Sequence, residues 1–212
     1  MNSLSLRQEL IDTARRMNDL RINQGTAGNL SFRAGESFII TPSGKHYDEM
    51  QADDLVEVSI ATGKVIAGGR PSTEWRFHRD ILASRDDVDV VLHAHPVFST
   101  ALACQQREIP AFHYMVAAAG GKSICCADYA LFGTQELSGY VLEALGHNRA
   151  CLMANHGLIT LGKTLKSALN LAVEIETLAA QYIRVLQMGE PALLSDAQMD
   201  EVIEAFLGYG AA

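Results

Sequence analysis

The sequence predicts a three-layer α/β/α domain spanning residues 1–212, in which helices cover both faces of a mixed, largely antiparallel sheet. Two pairs of short β-prone runs early in the chain are each joined by a glycine-containing turn, the pattern of antiparallel hairpins. Further along, strands and helices interleave, and amphipathic helices stand at both ends, enough to cover a sheet on both sides. A chain of 212 residues that is 48% apolar can bury one sizeable core without needing a second domain.

In order, residues 6–20 place Leu6, Leu10, Ala14 and Met17 on one helical face, with Ser5 and Gln8 at capping-box spacing. The glycine-rich stretch 25–29 ends that helix in a loop. Residues 30–33 and 37–41 form the first predicted hairpin around Gly35 and Glu36, and 55–60 with 64–67 form the second around Gly63. A helix follows over 73–84, with Trp75, Phe77, Ile81 and Leu82 as its buried positions, then a buried strand over 88–95 and a short helix from Pro96 to about Cys104. Strands over 123–127 and 150–154 flank a helix near 135–146. A long helix over 164–188 closes the core, and a last one over 196–207 starts on the capping pair Ser195 and Gln198.

The formal charge of −8 excludes a general nucleic-acid surface, because the chain's own field would repel a polyanion, while leaving room for one small phosphorylated ligand held by local donors. The N-terminus lacks a cationic start followed by an apolar run, and no stretch reaches the length of a membrane span. The four cysteines show no paired spacing and read as reduced core thiols. A cytoplasmic protein with no membrane partner is expected.

His93 and His95 stand as H-A-H at a strand end, and residues i and i+2 on a strand point the same way, so their imidazoles can meet at one point. Two polar residues ending a strand would leave the same trace. His156 also follows an apolar run and precedes a glycine, so a third imidazole could join them in a zinc site. Glu74, at a helix start, is either the fourth ligand or an acid favoured by the helix dipole. Gly28-Asn29, Ser43-Gly44 and Ser72-Thr73 are small polar segments able to offer N–H or hydroxyl donors to a phosphate, and each also fits an ordinary turn. His78 is expected to be partly buried on its helix, and His46, His113 and His147 to be surface or loop residues.

The ordered motifs N-Q-G-T-A-G-N at 23–29, I-T-P-S-G at 40–44, P-S-T-E-W-R-F-H at 71–78, H-A-H at 93–95, I-P-A-F-H-Y-M at 109–115 and N-H-G-L-I at 155–159 run nearly the length of the chain. Together they resemble class II aldolases of the fuculose-phosphate type, within the aldolase and adducin superfamily. The resemblance implies one zinc ion per subunit held by Glu74, His93, His95 and His156, with Glu74 also serving as acid/base at the reacting carbon. It implies a phosphate pocket of Gly28, Asn29, Ser43, Gly44, Ser72 and Thr73, where Ser43 and Thr73 exchange hydroxyl types with the family's usual Thr and Ser.

It further implies a catalytic Tyr114 that reaches a neighbouring subunit, a second tyrosine, Tyr209, on the C-terminal tail, and a homotetramer with active sites at subunit interfaces. The implied reaction cleaves a ketose 1-phosphate, L-fuculose 1-phosphate or a 5-deoxy- or 5-methylthioribulose 1-phosphate, into dihydroxyacetone phosphate and an aldehyde. Other branches of the superfamily are sugar-phosphate 4-epimerases, which usually carry Asp at the position of Glu74, decarboxylases of phosphorylated keto acids, and adducin-like assembly domains, which are expected to lack the metal ligands.

Overall fold

The structure, a computed structural model, describes residues 3–208; Tyr209 lies outside them. Helix α1 (Ser3–Asp19) buries Leu10, Ile11, Ala14 and Met17 completely, as its periodicity predicts. It is already helical at Ser5, so that serine sits in the first turn rather than capping it. Strands β1 (Asn29–Ala34) and β2 (Ser37–Ile40) form the first hairpin, with Gly35 at φ +64°, the left-handed conformation that a two-residue turn between strands requires. β3 (Val56–Ser59) and β4 (Val65–Ala67) form the second.

Helix α2 (Trp75–Ser84) then leads into β5 (Val90–Ala94) and α3 (Val97–Cys104). A 3-10 turn (Tyr114–Ala119), β6 (Cys126–Ala127), α4 (Gln135–Leu145) and β7 (Ala150–Met153) follow. The chain continues through β8 (Gly157–Gly162), α5 (Leu165–Met188) and α6 (Asp196–Gly208). The Ser195 and Gln198 pair makes both reciprocal bonds of its predicted capping box, at 2.8 and 3.3 Å.

The eight strands run in the order β4-β3-β2-β1-β5-β8-β7-β6, and every pairing is antiparallel except β6 with β7. Alternation divides the core cleanly. Leu30, Phe32, Val90, Leu92 and Leu158 face α1, α3 and α5. Val91, Ile159 and Leu161 face the other way, against Phe77, Ile81 and Leu82 of α2 and Leu137 and Val141 of α4. This is the predicted three-layer arrangement. Because His93 follows Val91 at a spacing of two, it belongs to the α2 side of the sheet.

β8 has no counterpart in the sequence reading, because glycines at both its ends look like breakers; they are instead places where neighbours come too close for a Cβ. At Gly162 a Cβ would lie 2.5 Å from Ser167 Oγ and 2.7 Å from the Ala168 nitrogen. The cysteines are free, as expected, but only Cys151 is a core thiol, and Cys104 is exposed at the end of α3. Burial, with Asp128 nearby, pushes the half-buried Cys126 thiol up to about 11.

The turn after His95 is anchored from across the core. Glu176, on α5, accepts hydrogen bonds from the backbone N–H groups of Phe98 and Ser99 and from the Ser99 hydroxyl, each at 2.8 Å. These are orphan donors of the first turn of α3, and a carboxylate there also meets the positive end of the helix dipole. Glu176→Ala is expected to destabilise the fold by about 2 kcal/mol, since it leaves part-buried donors without an acceptor. Urea unfolding, read as a lowered midpoint at unchanged slope, measures it.

Candidate active site

β5 and the β7–β8 turn bring three imidazoles together. His93 is fully buried, and its backbone stands opposite Asn29 on one side and Ile159 on the other. His95 lies just past the strand end, and the ring centroids of the two are 4.7 Å apart. His156 arrives on a short turn whose Asn155 adopts φ +56°, a left-handed conformation that asparagine tolerates better than most residues. Its ring lies 4.8 Å from that of His93 and 5.0 Å from that of His95. One nitrogen from each of the three falls within 4.8 Å of the others.

Glu74 closes the group from the residue before α2, 5% exposed. Its Oε2 is 3.3 Å from His93 Nε2 and its Oε1 3.2 Å from His156 Nε2. Burial disfavours the charged form of all three imidazoles, so these contacts do not have the character of ion pairs. Burial first, and His95 second, bring His93 down to about 3. Burial first, with His93 second, brings His156 down to about 4, and burial lowers His95 against the opposing pull of Glu74.

The tautomer of His93 follows from its other nitrogen. Nδ1 lies 3.0 Å from the Leu158 carbonyl, which can only accept, so Nδ1 carries the hydrogen and Nε2 presents a lone pair toward the carboxylate. Glu74 Oε1 is buried without a hydrogen-bond partner. Acceptors facing acceptors in a buried site are unfavourable unless a cation lies among them, and three imidazoles with one carboxylate are the donor set of a divalent metal centre.

A family model for the class II aldolase and adducin N-terminal domain matches residues 8–183. The chain belongs to this family. It is 52% identical over 207 residues to the 5-methylthioribulose-1-phosphate/5-deoxyribulose-1-phosphate aldolase of Rhodospirillum rubrum, covering 98% of this chain and 93% of that one. It is 44% identical over 211 residues to the L-fuculose phosphate aldolase of Escherichia coli K12, covering 99% and 98%. Among solved structures, an L-fuculose 1-phosphate aldolase superposes with a TM-score of 0.93 at 37% identity, over 98% of this chain and all of that one. The resemblance, the fold class and the aldolase activity expected from the motifs are thereby borne out. A class II aldolase uses a metal ion, and among the described residues His93, His95 and His156 form the group able to hold it.

Around this aldolase centre lies a cavity of about 410 Å³, lined by Thr73, Glu74, His95 and His156 together with Tyr129 and Phe132. The aromatic wall had no place in the sequence reading. Tyr129, Leu131 and Phe132 are each more than half exposed in the loop between β6 and α4, a region without periodicity; the unusual feature was three large apolar residues in a loop. A second cavity of about 350 Å³ shares Thr73 and Phe132 with the first and adds Arg70, Ser72 and Arg76.

The six residues expected around the phosphate are brought only partly together. Backbone pairing joins two of the loops: Ser43 N–H donates to the Arg70 carbonyl and Ser72 N–H to that of Thr41, at 3.2 and 3.0 Å. Ser72 and Thr73 reach the second cavity, whereas Gly28, Ser43 and Gly44 line neither. Ser72 Oγ accepts from Glu74 N–H at 3.3 Å. The Asn29 side chain is engaged inside the protein, with Nδ2–H donating to Glu74 Oε2 at 2.9 Å. Gly28 packs so closely that a Cβ would lie 2.6 Å from the His93 carbonyl.

Tyr114, 49% exposed, stacks on His113 at 4.9 Å and does not line the metal-side cavity. His78, expected to be partly buried, is completely buried; burial holds it well below the usual histidine range. Among the described residues, no helix is long and apolar enough to cross a membrane.

Proposed function

We propose that this class II aldolase is a cytoplasmic, zinc-dependent homotetramer that reversibly cleaves a ketose 1-phosphate into dihydroxyacetone phosphate and an aldehyde. The observation that carries the metal chemistry is the convergence of three imidazoles on a buried carboxylate with an unpartnered oxygen. As substrate, 5-methylthioribulose or 5-deoxyribulose 1-phosphate stands ahead of L-fuculose 1-phosphate. The higher identity to the Rhodospirillum enzyme supports that order, and so does the apolar wall of Tyr129 and Phe132, which suits a methyl or methylthio end.

Zinc would be held by His93, His95 and His156 with Glu74, and when bound it supplies Lewis-acid polarisation of the substrate carbonyl. Ser72 and Thr73, ahead of the N-terminus of α2, would take the phosphate together with Gly28, Asn29, Ser43 and Gly44, since a helix start favours an anion. Tyr114 of the partner subunit would accept the proton of the hydroxyl that becomes the aldehyde carbonyl. Glu74 would return one proton to the carbon from which the aldehyde departs. One proton leaves oxygen and one arrives at carbon, so the cleavage is balanced and runs backwards as condensation. Tyr209 would join Tyr114 at the subunit boundary, and its half-exposed partner ring supports an interface position.

The test is a panel of 5-methylthioribulose, 5-deoxyribulose and fuculose 1-phosphates, with released dihydroxyacetone phosphate coupled to NADH oxidation, before and after chelation. Higher kcat/KM on the two ribulose derivatives and loss of turnover on chelation are expected. Absence of dihydroxyacetone phosphate from every substrate would refute the reading. Sedimentation of an active monomer would remove the shared site.

A further inference from the structure

Behind Glu74 runs a line of buried polar side chains, of which Ser31 and His78 have no part in the proposed chemistry. Ser31 and His78 are completely buried and Asn29 is 3% exposed. Asn29 and Ser31 lie two apart on β1 and so share the face toward α2, while His78 lies one helical turn beyond Glu74. Ser31 Oγ is 2.7 Å from His78 Nδ1, His78 Nε2 is 2.5 Å from Asn29 Oδ1, and Asn29 Nδ2 is 2.9 Å from Glu74 Oε2.

Donor chemistry gives this line one direction. A carboxylate only accepts, so the Asn29 amide must present its NH₂ group to Glu74 and its carbonyl to the opposite side. That carbonyl needs a donor, so His78 must carry its hydrogen on Nε2. Nδ1 of the neutral ring must then accept, and the Ser31 hydroxyl supplies the hydrogen. An amide is nearly symmetric in shape, so packing alone would not stop it from turning its oxygen toward Glu74; the hydrogen bonds behind it do.

The geometry points to His78 and Ser31 as positioning residues of the aldol step, which fix the direction of the Asn29 amide and so hold the Glu74 carboxylate toward the substrate carbon. The inference rests on the acid/base reading of Glu74. Groups that orient a metal ligand or acid/base from behind typically affect function by about 10–100-fold when removed.

The test uses the metal-loaded enzyme and dihydroxyacetone phosphate alone in D₂O, where exchange of a carbon-bound hydrogen reports proton transfer without the aldehyde. Ser31→Ala removes one hydroxyl and should slow exchange about 10–100-fold, with metal content retained and KM for dihydroxyacetone phosphate within about twofold. Ser138→Ala is the matched control: its hydroxyl is equally buried and bonded, to Asp80 at 2.6 Å, and its loss should leave exchange unchanged. If Ser31→Ala exchanges at the wild-type rate, or raises KM alone, the positioning role is wrong. Glu74→Gln separates the two readings. Exchange that persists in Glu74→Gln overturns the acid/base role itself, whereas exchange lost there but intact in Ser31→Ala overturns only the inference drawn here.

Discussion

His95→Ala should lower kcat/KM on the order of 10³-fold and yield protein with little bound metal. A metal's stabilisation of developing charge is worth several kcal/mol, and each 1.4 kcal/mol is a factor of ten in rate. Of the three imidazoles, His95 gives the cleanest test. His93 is fully buried between β1 and β8, so its removal would open a void in the packed interior. His95 lies at the strand end and lines the cavity, where water can fill the gap, so the fold should survive its loss. Elemental analysis, the coupled assay and a thermal melt on the same sample separate lost metal from lost structure. Chelation of the wild-type enzyme should lower both activity and Tm, because an ion bound only by the folded chain stabilises it. Wild-type turnover in the alanine variant would end the metal assignment.

The parts of this molecule that sequence made legible are those where side-chain period reports burial. Leu10, Ala14 and Met17 on α1, and Leu165, Leu169, Ala172 and Ile175 on α5, repeat at helical spacing because one face of each meets the sheet. The H-A-H chelate was legible for the matching reason on a strand. Contacts made across the fold left weaker traces. Glu74 reaches the histidines only because α2 packs against β5, so its position in the sequence left it either a fourth ligand or an acid favoured by the helix dipole, and the family resemblance decided between the two. His78 looked like one more polar residue on a helix because its partners, Asn29 and Ser31, lie 49 and 47 positions away. Two polar residues at a spacing of two within the otherwise apolar Leu30 and Phe32 run were the available clue. β8 was hidden by the glycines at its ends, one of which, Gly157, lets it sit beside the histidines.

Gly157→Ala tests that last point with an atom instead of a ligand. The added Cβ would lie 2.5 Å from the Ala94 carbonyl, 2.7 Å from His95 Cδ2 and 3.3 Å from His93 Cε1. The carbonyl belongs to the β5–β8 ladder and cannot retreat without loosening the pairing of Ala94 with Leu158. Strain therefore passes into the backbone and the two rings together. Overpacking of this kind costs about 1–3 kcal/mol, and displacing a reacting group by about 1 Å can cost 10²-fold in rate. Gly157 is not in a left-handed conformation, so the effect is steric crowding alone. Gly139→Ala supplies the contrast: a Cβ on that exposed position of α4 meets nothing within 4 Å, and alanine there should stabilise by about 0.5–1 kcal/mol without touching turnover. Thermal melts of the pair should therefore move in opposite directions, with only Gly157→Ala losing activity. A Gly157→Ala enzyme with unchanged Tm and turnover would mean that β8 does not press on the histidines as described, and that the glycine is dispensable to the site.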